Sequence, residues 1–175
     1  KMVCYYALGK SYDLLDDTEQ AFNYFTLANK LQSQLTTFKT NELAPFYQQI
    51  ISQSDATLID SRDKRFTGTI TPVFIIGMPR SGSTLLEQML VSHESFASLG
   101  EDASISNQVV AYIEQQTQLP YPECLSKLEQ KLISTARNIY IERLKQSPHV
   151  RPYMINKLPA NYQSLGLIYL LFPNA

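Results

Sequence analysis

The stretch GMPRSGST, residues 77–84, gives the most specific indication of the fold in this sequence. Its Gly77, Gly82 and Thr84 occupy the fixed positions of the phosphate-binding pattern G-x-x-x-x-G-K-[ST]. Ser83, however, stands where that pattern has its lysine. The stretch therefore predicts a loop that binds an anion but takes its positive charge from another residue.

The positive charge within this loop comes from Arg80. A glycine-rich turn between a strand and a helix points several backbone N–H groups at one place, where the helix dipole is also positive. In a nucleotide triphosphatase the lysine reaches the β and γ phosphates, and the Ser/Thr hydroxyl holds Mg²⁺. Arg80 offers a fixed, forked cation instead. We therefore expect the loop to bind an anion that has no triphosphate group and that requires no metal ion.

The segments on both sides of the loop predict an α/β domain over residues 71–175. The run VFII, residues 73–76, is short, β-branched and aromatic, which is typical of a buried parallel strand. Behind the loop apolar residues recur at helical spacing, while Glu87 and Gln88 are expected on the outer face. The residues expected to face inward are Leu85, Leu86, Met89 and Leu90. A second strand of the same parallel sheet is predicted at PYMIN, residues 152–156.

Three further helices are predicted to flank this sheet. Their apolar periodicity places one over residues 103–116 and a long one over residues 125–145. Asn161 is expected to cap the last helix.

Residues 1–33 predict an all-α helical hairpin, with turn and cap residues at Asp16 and Asp17. The hairpin resembles one tetratricopeptide (TPR) repeat, in which small residues let two helices touch and aromatic residues fill the gaps. The residues that carry this resemblance are Tyr5, Leu8, Gly9, Tyr12, Ala21, Phe25 and Ala28. One repeat cannot bury its own face, so we interpret it as the last repeat of an array. Residues 34–70 are a helical connector, with a helix capped by Asn41 and a short helix over residues 56–62.

The composition excludes several classes of function. The 175 residues carry a net charge of −1, so no overall field draws the chain to nucleic acid or to an acidic membrane. The longest strongly apolar run, VFIIGM, is too short to span a bilayer. Cys4 and Cys124 form no metal-binding pattern and are typical of free thiols in an intracellular protein. We therefore predict a cytoplasmic protein without a nucleic-acid or membrane partner.

At the loop the chain resembles a known family. PVFIIGMPRSGSTLLEQML, residues 72–90, resembles the 5′-phosphosulfate loop of sulfotransferases that use 3′-phosphoadenosine 5′-phosphosulfate (PAPS). It is similar to the group that joins TPR repeats to a sulfotransferase domain, and also to the tyrosylprotein sulfotransferases. The resemblance implies PAPS as co-substrate and no metal. The loop residues that it assigns to the 5′-phosphosulfate are Pro79, Arg80, Ser81, Gly82, Ser83 and Thr84.

Two later segments carry the same resemblance. GED, residues 100–102, resembles the family's Gly-Glu segment, which holds the catalytic base, and this implies Glu101 as the base, with Asp102 as the alternative. NKLPANYQSLGLIYLLFPNA, residues 156–175, resembles the family's Asn-Lys-x-Pro strand end and the helix after it. The resemblance implies that Lys157 contacts the bridging oxygen and the sulfuryl group of PAPS. The catalytic residues that the resemblance implies are Glu101, Lys157, Arg80 and Asp102.

These residue types suit sulfuryl transfer to a hydroxyl. Negative charge builds on the leaving phosphate oxygen, where Arg80, Lys157 and the loop amides stabilise it. A carboxylate takes the proton of the acceptor hydroxyl. The resemblance leaves the acceptor as a peptide, a carbohydrate or a small molecule, and a TPR groove favours a peptide or protein partner. The family binds the 3′-phosphate downstream of the Phe-Pro-Asn-Ala segment, at which this sequence stops, so we expect a fragment with a truncated sheet.

Two other classes of function remain open. A phosphate-loop nucleotide kinase or triphosphatase needs a lysine after Gly82 or an acidic strand for Mg²⁺, whereas the second predicted strand ends in Asn156-Lys157. A non-catalytic TPR scaffold with a degenerate domain predicts no cofactor binding. The intact loop, Lys157 and the acidic pair Glu101-Asp102 argue against a degenerate domain.

Overall fold

The computed structural model of the protein describes residues 1–35, 40–54 and 68–175. These residues divide into two compact units, Lys1–Ala44 and Pro45–Ala175. The short helix predicted over residues 56–62 lies outside the described residues. The three domains predicted from the sequence stay a prediction.

The first unit contains a hairpin of two helices, α1 (Met2–Leu14) and α2 (Thr18–Leu35). Gly9 is buried, and a Cβ at this position would stand 2.8 Å from the ring of Phe25 on the other helix. Glycine therefore lets the two helices approach closely. The Asp17 carboxylate accepts a 3.1 Å hydrogen bond from the backbone N–H three residues on, which caps α2. The predicted hairpin and its cap are present, and their assignment to the TPR class stays a prediction.

Helix α3 spans Thr40–Gln53. Asn41, predicted to cap this helix, is its second residue, so the predicted cap is wrong because Thr40 is already helical. Just after α3, Ser54 lies against Gly166, where a Cβ would come within 2.3 Å of the Ser54 Oγ. The absence of a side chain at Gly166 thus permits this close packing within the second unit.

Among its described residues, the second unit contains a parallel sheet of three strands, β1 (Thr71–Ile75), β2 (Phe96–Ser98) and β3 (Tyr153–Lys157). Their order in the sheet is β1-β3-β2, so β3 is central. Ile75 pairs with Lys157, and Ser98 pairs with Ile155. Both predicted strands are present with bounds shifted by one or two residues, whereas β2 was not predicted.

Helices flank the sheet and supply most of the core. Helix α4 (Ser83–Val91) follows the glycine-rich loop, and a π-helical turn (Ile105–Val110) continues into α5 (Ala111–Thr117). Helix α6 (Gln130–Lys145) and the last helix, α7 (Leu165–Leu171), complete the unit. The fully buried core residues include Ile105, Ile113, Leu125, Leu128, Ile133, Tyr140, Leu144, Met154, Leu167 and Leu171. Across the described ranges, none of the helices has the length and apolarity needed to cross a bilayer.

The predicted long helix over residues 125–145 is divided in the structure. Glu123–Lys127 forms a 3-10 helix, and Leu128 after it is extended and almost fully buried. Its insertion into the core interrupts the helix, which resumes at α6. The predicted helix over residues 103–116 is present, with π geometry in its first part.

The predicted cap at Asn161 is also wrong. This residue lies within a 3-10 helix, Pro159–Ser164, that precedes α7. Its side chain is buried, and its Nδ2 donates a 3.2 Å hydrogen bond to Asn156 Oδ1. A buried amide group needs a hydrogen-bond partner, so the Asn161 side chain bonds to Asn156 and does not cap the helix.

Helix α4 presents a face to the sheet that differs from the predicted one. Glu87 is buried, whereas three of the four leucine and methionine residues predicted to face inward are exposed: Leu85, Leu86 and Met89. The loop fixes the start of the helix at Ser83, and Glu87 follows four residues later on the same side. The position of the loop, rather than the pattern of apolar residues, therefore sets the orientation of α4.

Candidate active site

The carboxyl ends of the three parallel strands meet at one edge of the sheet. β1 leads into the glycine-rich loop, and β2 leads into the segment of residues 99–102. The backbone N–H of Lys157, the last residue of β3, donates a 2.9 Å hydrogen bond to the carbonyl of Gly100. Open α/β sheets bind their ligands outside this edge. All predicted site residues therefore lie on segments that leave or adjoin the same edge.

The loop of residues 77–82 has the backbone conformation of a tight turn. Gly82 has φ +90° and Arg80 has φ +67°, an uncommon conformation for a residue with a side chain. The first hydrogen bond of α4 runs over 3.0 Å from the Leu86 N–H to the Gly82 carbonyl. The N–H groups at the start of α4, from Ser83 on, therefore have no acceptor within the helix.

A small cavity of about 160 Å³ adjoins this turn. It is lined by Ile75, Ile76, Ser81, Gly82, Ser83 and Leu86. Free N–H groups, two serine side chains and the positive end of the α4 dipole suit an anionic oxygen group. The guanidinium of Arg80 is carried by an exposed residue of the same turn. The turn therefore has the donors that a phosphate group requires.

Lys157 is a buried cation at the end of the central strand. Its side chain is 8% exposed, and its Nζ donates a 2.6 Å hydrogen bond to Glu101 Oε1. The Oε2 of Glu87 lies 3.9 Å from the same Nζ. The hydrogen bond that Lys157 donates to Glu101 raises the pKa of Lys157 above its ordinary value. Burial lowers this pKa, and the charges of Glu101 and Glu87 raise it further. The two carboxylates therefore keep this ammonium group charged.

The two carboxylates around Lys157 differ in their access to solvent. The side chain of Glu101 is 62% exposed, while that of Glu87 is only 7% exposed. The Oε1 of Glu87 accepts a hydrogen bond from the hydroxyl of Ser98, at the end of β2. The Ser98 Oγ in turn accepts a 2.9 Å hydrogen bond from the Gly100 N–H. Glu101 is thus open to an incoming molecule, and Glu87 is fixed inside.

The carboxylate of Asp102 is paired with Arg143 and Ser104. Its Oδ2 lies 2.6 Å from Arg143 Nη2, and its Oδ1 accepts hydrogen bonds from both the backbone N–H and the hydroxyl of Ser104. Its backbone carbonyl accepts a 2.9 Å hydrogen bond from Asn156 Nδ2. Asp102 therefore joins the segment of residues 100–102 to α6 and to β3.

A buried polar network continues from Asn156. The same Nδ2 donates a 3.0 Å hydrogen bond to the hydroxyl of Tyr140, whose pKa burial raises above its ordinary value. The Oδ1 of Asn156 accepts the hydrogen bond from Asn161. Satisfied buried networks of this kind hold their members in one geometry. This network therefore fixes the backbone beside Lys157 and Glu101.

The structure brings some of the predicted site residues into contact and leaves others apart. Lys157 and Glu101 form an ion pair. Pro79 to Thr84 form the turn and the start of α4, at the same sheet edge. Among the described residues, no hydrogen bond or ion pair joins Arg80 to Lys157 or to Glu101. Nor do the described residues include a group of three or more His, Cys, Asp or Glu side chains that could hold a metal ion.

Sequence reasoning missed Glu87 and Ser98 as neighbours of Lys157. The helical period counted from Ser83, the first residue of α4, would have placed Glu87 on the face toward the sheet. No pattern in the sequence indicated Ser98, because β2 has only three residues and one buried side chain.

Comparison with known proteins agrees with this arrangement. A family model described as "Sulfotransferase family" matches residues 72–175, more than half of the chain. The chain is also similar to a protein of Aquifex aeolicus (strain VF5) named "Uncharacterized protein", with 28% identity over 176 residues. That alignment covers 97% of this chain and 23% of the relative, so the chain spans about a quarter of the relative's length.

Proposed function

The chain belongs to the sulfotransferase family, and we propose that it forms part of a site that transfers a sulfuryl group from PAPS to a hydroxyl acceptor. The observation that carries this proposal is the ion pair between buried Lys157 and exposed Glu101, beside a phosphate-type turn that lacks the lysine. A fixed cation for the leaving group and an accessible carboxylate for the proton are what such a transfer needs.

The turn is the proposed binding site for the 5′-phosphosulfate group of PAPS. Support comes from the N–H groups at the start of α4, the serine-lined cavity and the exposed Arg80. We assign this group to Pro79, Arg80, Ser81, Gly82, Ser83 and Thr84, with Lys157 beside it. When bound, PAPS supplies the sulfuryl group, and its departure leaves negative charge on a phosphate oxygen. Arg80 and Lys157 are the cations that we assign to that charge.

We assign the catalytic base to Glu101 rather than to Asp102. The Glu101 carboxylate is exposed and can meet an acceptor hydroxyl, whose oxygen forms the new bond to sulfur while its proton passes to Glu101. The carboxylate of Asp102 is occupied by Arg143 and Ser104. Asp102 then supports the site by fixing the segment that carries Glu101.

A nucleotide kinase or triphosphatase fits these residues less well. Ser83 cannot reach β and γ phosphates, and the strand next to β1 ends in the buried cation Lys157 instead of a carboxylate for Mg²⁺.

The remaining parts of the proposal concern partners and location. The helices α1 and α2 are proposed as a TPR repeat, similar to those of TPR-linked sulfotransferases, which would bind a peptide or protein acceptor. The exposed thiol of Cys4 and the buried thiol of Cys124, both free, favour a cytoplasmic location. The net charge of −1 favours acceptors other than nucleic acid.

Calorimetry with 3′-phosphoadenosine 5′-phosphate (PAP), the product nucleotide, tests this proposal on the full-length protein. We expect PAP to bind, ATP–Mg²⁺ not to compete, and Arg80→Ala to weaken binding by roughly 10- to 100-fold, the range for a charge-assisted phosphate contact. Arg151→Ala is the matched control, because Arg151 is an exposed arginine that precedes β3, at the opposite end of the strand. Absence of PAP binding, or a preference for ATP–Mg²⁺, would contradict the proposal.

A further inference from the structure

Glu87 is a buried carboxylate in a helix whose apolar residues face outward. Its side chain is 7% exposed, whereas Leu85, Leu86 and Met89 around it are exposed. Burial of an isolated charge is costly, and replacing a buried ion pair by apolar residues is often neutral or stabilising. Stability alone therefore does not account for a carboxylate at this place.

The environment of Glu87 consists of one hydroxyl and one ammonium group. Its Oε1 accepts the hydrogen bond from Ser98, and its Oε2 lies 3.9 Å from Lys157 Nζ. Because Glu87 lies on the helix that begins at the phosphate-type turn, it connects that turn to the ends of β2 and β3. The charged groups that face Lys157 are Glu87 from α4 and Glu101 from the segment after β2, while Asp102 is paired with Arg143.

The two carboxylates beside Lys157 cannot have the same role. Glu101 makes the shorter contact, 2.6 Å, but under the proposed function it accepts the acceptor's proton and becomes neutral. At that moment its electrostatic hold on the ammonium group is lost. Glu87 is only 7% exposed and is therefore not placed to take up that proton. Lys157 therefore keeps one anionic partner throughout the transfer.

We propose that Glu87 is a positioning residue, which holds the buried ammonium group of Lys157 charged and in place while Glu101 takes up the proton of the acceptor. Ser98 assists by fixing the Glu87 carboxylate, and its oxygen also accepts the N–H of Gly100, next to Glu101. Glu87 and Ser98 together connect Lys157, which stabilises the leaving group, to the segment that carries Glu101. Glu87 itself touches neither substrate.

Kinetics of Glu87→Gln in the full-length protein test this role, which rests on the proposed function. Glutamine keeps the volume and an acceptor for Ser98 but removes the charge. We expect kcat to fall by roughly 10- to 100-fold, the usual loss for a group that orients an active residue, with little change in the KM for PAPS. The alkaline limb of the kcat–pH profile should move to lower pH, because Lys157 loses one of the two carboxylates that raise its pKa.

Two variants separate positioning from a general structural effect. Glu94→Gln is the matched control, since Glu94 is exposed just beyond the end of α4, and it should leave both kcat and the pH profile unchanged. Glu87→Asp retains the charge and should recover the position of the alkaline limb. If Glu87→Gln does not fold, Ser98→Ala replaces it, and we then expect a lower kcat with the alkaline limb in place, because the Glu87 charge remains.

A second readout does not depend on activity. The rate at which Lys157 reacts with acetic anhydride, followed by mass spectrometry across pH, reports its deprotonation directly. In Glu87→Gln this reaction should begin at lower pH than in the unaltered protein. Wild-type kcat together with unchanged profiles for activity and labelling would overturn the positioning role. If the unaltered protein neither binds PAP nor transfers sulfate, the proposed function fails, and the labelling profile still decides whether Glu87 controls Lys157.

Discussion

Substitution of Asp102 by asparagine should weaken the fold around the site while leaving the chemistry intact. Asparagine preserves the Oδ1 that accepts from Ser104 but removes the charge that pairs with Arg143 at 2.6 Å. The side chains of Asp102 and Arg143 are 9% and 28% exposed. Breaking a fully buried ion pair costs about 3–5 kcal/mol, and a charged hydrogen bond contributes about 1.5–3 kcal/mol. Because water still reaches Arg143, we expect a loss of about 2 kcal/mol.

Native-state hydrogen exchange measures this loss where it should occur. The amides of Leu99 and Lys157, which bond to Ile155 and Gly100, report the free energy of opening of the segment that Asp102 holds. Glu142→Gln is the matched control on the same helix as Arg143, because its pair with Lys145 is exposed and should contribute at most about 0.5 kcal/mol. An Asp102→Asn effect no larger than that of the control would refute the structural role of Asp102.

The same substitution distinguishes the two candidates for the base. Asp102→Asn should keep sulfuryl transfer well below its melting temperature, whereas Glu101→Gln should lose it by about 10²- to 10⁴-fold, the usual contribution of a general base. The opposite result, a dead Asp102→Asn and an active Glu101→Gln, would assign the base to Asp102.

Two further predictions concern other parts of the chain. Gly9→Ala should lower the melting temperature measured by circular dichroism, because the added Cβ would stand 2.8 Å from the Phe25 ring. Overpacking of this kind costs about 1–3 kcal/mol. An unchanged melting temperature would contradict the packing of α1 on α2. Burial raises the pKa of the Cys124 thiol from 9.0 to about 11, so this thiol stabilises the fold fully below pH 9 and loses that contribution as the pH rises toward 11. At pH 8, iodoacetamide should therefore modify the exposed Cys4 and leave Cys124 intact, which the mass of the native protein reveals; modification of Cys124 without unfolding would show that it is accessible.

The strand, turn and helix at the start of the second unit could be predicted because several local signals coincide there. The run before Gly77 is β-branched and aromatic, the glycines permit positive φ, and Ser83 begins a helix. The strand predicted at residues 152–156 is also present, as β3, and four of its five residues are buried. The prediction of the sulfotransferase family rested on these same segments and is confirmed.

The errors arose where tertiary contacts override local pattern. β2 exists because Phe96 to Ser98 pair with β3, and three residues carry no periodicity of their own. The inner face of α4 was predicted wrongly because its apolar residues recur at helical spacing. Glu87 faces inward instead, because its charged partner is a lysine on a strand far along the chain. The helix cap predicted at Asn161 is wrong because its buried side chain donates a hydrogen bond to Asn156, which lies in that same strand. Charge pairing across the sheet edge is invisible in the pattern of any single segment.

A crystal structure of the full-length protein with PAP would show whether the turn and Lys157 bind the 5′-phosphate together. We expect the 5′-phosphate at the turn, within about 3 Å of backbone N–H groups between Ser81 and Thr84, with Arg80 and Lys157 donating hydrogen bonds to its oxygens. Glu87 should remain beside Lys157, and Glu101 should face the open side of the sheet edge. PAP bound elsewhere, or at the turn with Lys157 turned away from the phosphate, would contradict the account.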